Sequence, residues 1–309
     1  MGKTGRGEKE MGIMHCRKFA VVAVALVVFC SCVACVAQAG VLCNPAGTMG
    51  KGNASLGIEY DYRRGITDND VAVGTDSSGE VKFLSNRYLA RAGLGAFDWL
   101  DLYLRIGAAD LGFPQENPGD PRFAGSTRFA MGGGFALRLF ETDNDAGLNA
   151  RALLLGQGLR FSSHGNTSVP IPGTSDSFRA FRNEYTWNEI DLGLLLAFTT
   201  PSLDSGGKVH LTPYVGLEKS FIDGEIERSE FLLAAGQKSL LGSETVDFAD
   251  DGLTVRPVVG MEVNVPQKYS ITFEISIIDS DEFSFGVGIS QITALKRTVV
   301  KEKASDHKM

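Results

Sequence analysis

The sequence predicts an all-β chain: an antiparallel transmembrane β-barrel of about ten strands, with 8 and 12 as the neighbouring alternatives, following a cleaved signal peptide. Three observations predict it. Apolar and polar residues alternate with a period of two through many segments of the chain, the signature of strands whose two faces meet different surroundings. These segments are long, whereas strands in soluble proteins average ~5–6 residues and a tilted strand crossing a bilayer needs ~9–11. The first eight connections between them are alternately long and short, the ninth (279–282) being short as well, as in membrane barrels with turns at one end and loops at the other.

The chain begins with an export segment. Arg17 and Lys18 precede an uncharged, mostly apolar run over 19–36, which ends in Ala37-Gln38-Ala39. A basic stretch, an apolar run and small residues in that order make the three-part layout of a secretory signal. Cleavage is expected after Ala39, with an uncleaved anchor or a lipid-modified cysteine as the alternatives. The domain division is then 1–39 signal peptide, 40–53 N-terminal lead, 54–292 barrel and 293–309 basic tail. Cys16, Cys30, Cys32 and Cys35 fall in the export segment, and only Cys43 lies beyond it. The body therefore has no internal disulfide and no CxxC pair for zinc.

The predicted strands are 54–64, 82–96, 100–109, 126–140, 146–161, 184–199, 208–223, 253–265, 269–278 and 283–292. The pattern is clearest after residue 99, where Leu100, Leu102, Leu104 and Ile106 alternate with Asp101, Tyr103, Arg105 and Gly107. The connections after the even-numbered segments are short. Those at 65–81, 110–125, 162–183 and 224–252 are long and are expected as external loops. The last of these carries seven acids, and a short helix is expected there at Phe231–Ala235 and Leu240-Leu241, capping the mouth.

A barrel also accounts for the charges. Residues 40–292 hold 20 bases against 33 acids, a net of −13 inside a chain of net charge −7. An acidic body excludes nucleic acid as a partner, since phosphate binding needs clustered Lys and Arg. The second alternating set supplies a lumen charge network: Glu59, Asp61, Arg87, Arg91, Asp101, Arg105, Arg128, Arg138, Arg151, Glu189, Asp191, His210, Glu218, Arg256, Glu262 and Glu274. A barrel of about ten strands has a narrow lumen, where opposite charges can be held only as hydrogen-bonded pairs. Gly93, Gly107, Gly132, Gly134, Gly193, Gly216, Gly260 and Gly286 would leave room for long side chains. Pro213 and Pro257 cannot donate to a ladder, so each must sit at a bulge or near a strand end. Tyr62, Tyr88, Trp99, Tyr185, Trp187 and Tyr269 lie near segment boundaries, where aromatic girdles meet the membrane interfaces.

The stretch from Arg87 to Gly107, with its tight Asp98-Trp99 turn, and Thr212-Pro213-Tyr214-Val215-Gly216-Leu217-Glu218 carry a resemblance. The chain resembles bacterial small outer-membrane β-barrel proteins, the broad OmpA-like and porin-like group, over about 54–292. The resemblance implies the outer membrane of a Gram-negative cell, with outer-membrane lipid or lipopolysaccharide and the outer-membrane assembly machinery as partners. It carries over no catalytic residue. One departure is that such barrels commonly finish on an aromatic residue, whereas this chain continues into a basic tail from Lys296 to Lys308. A contact of that tail with peptidoglycan is the alternative to a solvated end.

Catalytic motifs are missing from the sequence: there is no G-x-S-x-G, H-E-x-x-H or P-loop. His164 is expected in a long loop and His210 near the short-turn end of its strand. No enzyme activity, cofactor or metal is expected. The sequence points to a non-enzymatic outer-membrane barrel with a structural, surface-loop or narrow-pore role. The alternatives are an outer-membrane hydrolase of protease or lipase type with a loop-level site, and an adhesin or receptor barrel.

Overall fold

A computed structural model describes residues 48–69, 80–113, 123–143, 149–171, 177–203, 209–234, 237–250, 255–265, 269–278 and 282–295. The expected signal peptide at 1–39, Cys43 and the tail from Lys296 lie outside the described residues. Thirteen antiparallel strands make one sheet: β1 (Asn53–Asn69), β2 (Glu80–Phe97), β3 (Leu100–Ala109), β4 (Gly112–Phe113), β5 (Phe123–Ala124), β6 (Arg128–Asp143), β7 (Asn149–Pro170), β8 (Ser177–Thr199), β9 (His210–Ala234), β10 (Gln237–Asp250), β11 (Val255–Val265), β12 (Tyr269–Ile277) and β13 (Phe283–Ala294). Ten of them close a ring in the order β1, β2, β3, β6, β7, β8, β9, β11, β12, β13. The ring is sealed where β13 returns to β1, from Asn53 opposite Ala294 to Arg64 opposite Phe283. Closure removes the free edges that would otherwise leave backbone groups unpaired. Each predicted segment falls on one ring strand.

The alternation becomes two faces. Leu56, Ile58, Leu94, Leu102, Leu104, Ile106, Met131, Leu192, Leu194, Leu196, Val215 and Leu217 are exposed on the outside. Their neighbours in sequence are buried and mostly polar or small. On β8 the exposed apolar row runs from Phe198 to Ile190, about 26 Å along the strand at ~3.3 Å per residue. That suffices for a tilted crossing of a bilayer's apolar band. A ring with this outer surface and a closed backbone is the transmembrane form of β-sheet.

The prolines sit where a missing N–H does least harm. Pro213 is opposite Met261 on β11, but the β8–β9 ladder stops one residue earlier, at Ala197 opposite Tyr214. Pro257 is opposite Leu217 on β9, while the β11–β12 ladder begins at Val258. Each proline therefore lies one step outside one of its two ladders.

Two of the expected loops are instead strands. β7, β8 and β9 run for 22, 23 and 25 residues, and the β7–β8 ladder continues up to Pro170 opposite Phe178. β10 folds back along β9 from Gln237 opposite Ala234 to Asp250 opposite Ile222. So 162–170, 177–183, 224–234 and 237–250 form a four-stranded sheet that projects past the apolar belt. The helix expected over Phe231–Ala235 and Leu240-Leu241 is replaced by strand: Phe231 to Ala234 end β9 and the two leucines belong to β10. Hairpin hydrogen bonding satisfies this backbone without any helix. Just above the belt the outer positions Asp223, Glu225 and Glu227 are acidic, because they face water and not lipid.

Candidate functional site: the filled lumen

The inward positions of β1, β2 and β3 bring Glu59, Asp61, Arg63, Arg87, Arg91 and Arg105 together, all buried. Five places around the ring from β1 stands β8, with Glu189 and Asp191 facing inward and also buried. The two walls meet across the lumen. Arg87 binds Glu189 through two parallel bonds, Nη1 to Oε1 at 2.9 Å and Nη2 to Oε2 at 2.6 Å, and donates to Asp61 at 3.2 Å. Arg63 donates to the same Glu189 and lies 3.5 Å from Asp191. Trp187 Nε1 donates to Glu189 Oε2 at 2.9 Å. Glu59 takes Arg91 at 3.2 Å and Arg105 Nε at 2.8 Å. Gln157 on β7 joins the two groups, accepting from Arg105 at 2.7 Å and donating to Asp191 at 3.1 Å. Ser220 on β9 also donates to Asp191. Four guanidinium groups thus meet four carboxylates, so the cluster is formally neutral. Its planar, bidentate geometry is the kind that offsets the cost of removing charges from water.

Above this layer, toward the projecting sheet, the lumen turns apolar. Phe83, Leu89, Leu111, Phe161, Tyr185, Trp187, Ile222 and Ile226 pack as one buried cluster. Phe83 and Trp187 stand 4.7 Å apart between ring centroids, and Phe113 stands 4.9 Å from Tyr185. A second cluster holds Tyr103, Leu153, Leu155, Leu195, Tyr214 and Val258. Two glycines make room for its tyrosines. A Cβ on Gly134 would come within 2.6 Å of the Tyr103 hydroxyl, and one on Gly260 would strike the Tyr214 ring. The Tyr214 hydroxyl donates to Glu274 at 2.8 Å, and Ser270 donates to Glu262.

Of the residues expected in the lumen, Glu59, Asp61, Arg87, Arg91, Asp101, Arg105, Glu189, Asp191, Glu218, Arg256, Glu262 and Glu274 are buried inside the ring. Asp101 accepts from the Met49 backbone at 2.8 Å, which ties the lead to the lower rim. Arg128 is elsewhere: it opens β6 and is exposed, above the level at which the walls close. Arg138 and Arg151 are at the short-turn rim, both paired with Glu141. His210 starts β9 at that rim, with its ring Nδ1 3.2 Å from the Thr200 carbonyl. Arg63, Gln157 and Ser220 complete the network without having been singled out, and Trp187, expected at an interface, joins it instead. Arg63 shares the parity of Glu59 and Asp61, and that signal could have found it.

Among the expected girdle residues, Tyr88, Trp99 and Tyr269 are exposed, with Trp99 stacked on Phe97 at 5.1 Å. Tyr62 is half-buried beside Phe283 on the outer face. Tyr185 and Trp187 do not join the girdle. They are fully buried, because they share the odd, inward parity of Glu189. His164 lies in β7, not in a loop, 3.3 Å from Glu184. Among the described residues no group of three His, Cys, Asp or Glu is placed to hold a metal ion.

No protein-family model matches the chain, and no curated protein matches it. Among solved structures it is similar to the translocator domain of the autotransporter NalP from Neisseria meningitidis (10% identity, TM-score 0.38, 92% of this chain and 99% of that one). It is also similar to the transport unit of the autotransporter AIDA-I from Escherichia coli (9% identity, TM-score 0.36, 79% and 90%) and to an outer membrane channel from Pseudomonas putida F1 (13% identity, TM-score 0.30, 78% and 96%). At such distances the likenesses bring no function with them.

Proposed function

We propose that this chain is a non-enzymatic barrel of the bacterial outer membrane, closed to free diffusion, which anchors a projecting β-sheet at the cell surface. The observation that carries the reading is the bridge of Arg63 and Arg87 to Glu189, between strands on opposite sides of the ring. With the aromatic layer above it, this bridge occupies the lumen where a solute would have to pass. The exposed apolar belt supports a place in a membrane, and the signal-like sequence at 17–39 supports export to it. Conductance in planar bilayers tests the reading. The protein, inserted in a form that resists SDS until heated, is expected to give no steady open channel. A large, stable conductance would overturn it.

A further inference from the structure

The projecting sheet has its own apolar surface, separated from the belt by a polar band. The outer face can be read upward from Ile190 and Phe221, which lie opposite each other at the top of the belt. Next come Asn188 with Asp223, Thr186 with Glu225 and Asp247, and Glu184 with Glu227 and Thr245. Two of these rows set carboxylates directly opposite each other, Glu184 against Glu227 and Glu225 against Asp247. Above them the composition changes. Arg182, Ser229 and Ser243 form the first row, Ala180, Phe231 and Leu240 the second, and Phe178, Leu233 and Lys238 the third. Phe178, Leu240 and Leu241 are exposed by 40%, 61% and 52%. From Phe221 to Leu233 is about 40 Å along the strand at ~3.3 Å per residue, so lipid of the chain's own membrane does not cover this end.

A register shift between Leu240 and Gly242 leaves Leu241 with no opposite residue in β9. The bulge sets two leucines side by side at the outer end of the sheet. Bulges often re-aim side chains at functional positions. The charges change with the apolarity: these three outer-face rows contain Arg182 and Lys238 and no carboxylate, while Arg179 pairs with Glu230 at 3.5 Å on the opposite face. Both outer-face cations are exposed, and Lys238 lies 3.8 Å from the Phe231 ring centre.

We propose that this outer end is a docking surface for the anionic phospholipid face of a second membrane. Protruding apolar side chains flanked by cations suit a bilayer, where the apolar groups enter the acyl boundary and the cations meet headgroup charge. The acidic band beneath would repel the same headgroups and limit the depth of entry. The proposal rests on the barrel reading, because the sheet is held away from its own membrane only if the ring spans it.

The test uses the full chain in nanodiscs and separate vesicles of phosphatidylcholine, with or without about a third phosphatidylserine. Binding is expected to the anionic vesicles only. Reversing Arg182 and Lys238 together (R182E/K238E) is expected to weaken it about tenfold or more, and L240S/L241S by a similar factor. These positions are exposed, so SDS-resistant mobility should be unchanged in both variants. A tryptophan at the bulge (L241W) is expected to shift to the blue on binding and to be quenched by brominated acyl chains. Equal binding to both vesicle types, no binding to either, or no spectral shift would overturn the proposal. So would retention on polyglutamate beads without vesicle binding, which would mark an acidic peptide as the occupant. A chain that never enters nanodiscs in SDS-resistant form would overturn the barrel reading itself.

Discussion

The Arg87–Glu189 pair in the lumen and the Arg179–Glu230 pair on the projecting sheet are built from the same two groups, but their surroundings differ. The lumen pair has 3% and 1% of its side-chain surface exposed, and the surface pair 60% and 31%. Around Glu189 a second guanidinium and an indole N–H complete the coordination of the carboxylate, whereas water is available to do this around Glu230. A buried pair is costly to form and more costly to break, because the survivor has no solvent to fall back on. An exposed pair exchanges one set of partners for another at a net of ~0–1 kcal/mol. The comparison teaches that burial, and not the presence of an ion pair, determines which charges hold this barrel together.

Substitutions at graded burial test that difference. Their readout is the temperature at which the SDS-resistant form converts, together with urea unfolding from lipid vesicles. The largest effect is expected for Glu189→Ala, which strands Arg63 and Arg87 at once and should cost about 5 kcal/mol. A loss below about 1 kcal/mol would show that water reaches the cluster, and the closed lumen would fail with it. Trp187→Ala removes the ring packed between Phe83 and Phe161 and should cost about 3 kcal/mol through the cavity it leaves. It should also open the upper layer without conductance, since the ionic layer below remains.

Glu141 stands just past the belt at the short-turn rim and is intermediate. Partial burial works against its charge, but the Arg151 and Asn149 hydrogen bonds and the nearby guanidinium groups outweigh that and hold it below the ordinary carboxylate range. A lowered carboxylate stabilises the fold above its unfolded pKa, and this contribution is lost as pH falls through the folded value. Glu141→Gln should therefore destabilise at neutral pH, and the gap to the parent should close in acid below that range. A gap that persisted there would mean the cost is steric, not electrostatic. The smallest effect is expected for Arg179→Ala, within about 0.5 kcal/mol of the parent. A larger loss would mean that the projecting sheet is less solvated than its exposure indicates.

How far the sequence could be read depended on what each face touches. Within the belt, lipid outside and ion pairs inside make opposite demands, so Leu102 and Leu104 against Tyr103 and Arg105 mark a strand clearly. Above the belt the outside is water. Asp223, Glu225 and Glu227 then alternate with Ile222, Gly224 and Ile226 in the same period, but a run of acids reads as loop, and β10 was missed with it. Trp187 and Tyr185 were placed at an interface because they lie near a segment end in sequence. The strand continues past them, and their parity turns them inward. Arg63 was legible in principle, since it follows Glu59 and Asp61 at the same spacing.

The local pattern alone carries which residues form the bilayer-crossing part of each ring strand and which parity faces lipid, because a period of two and the thickness of a bilayer are constraints on a single strand. Tertiary structure alone decided that β1 stands opposite β8, so that Arg63 and Arg87 converge on Glu189, and that β7, β8, β9 and β10 continue together past the membrane. Those facts depend on ring order and on pairing between distant segments, and neither the spacing nor the composition of one strand carries that information.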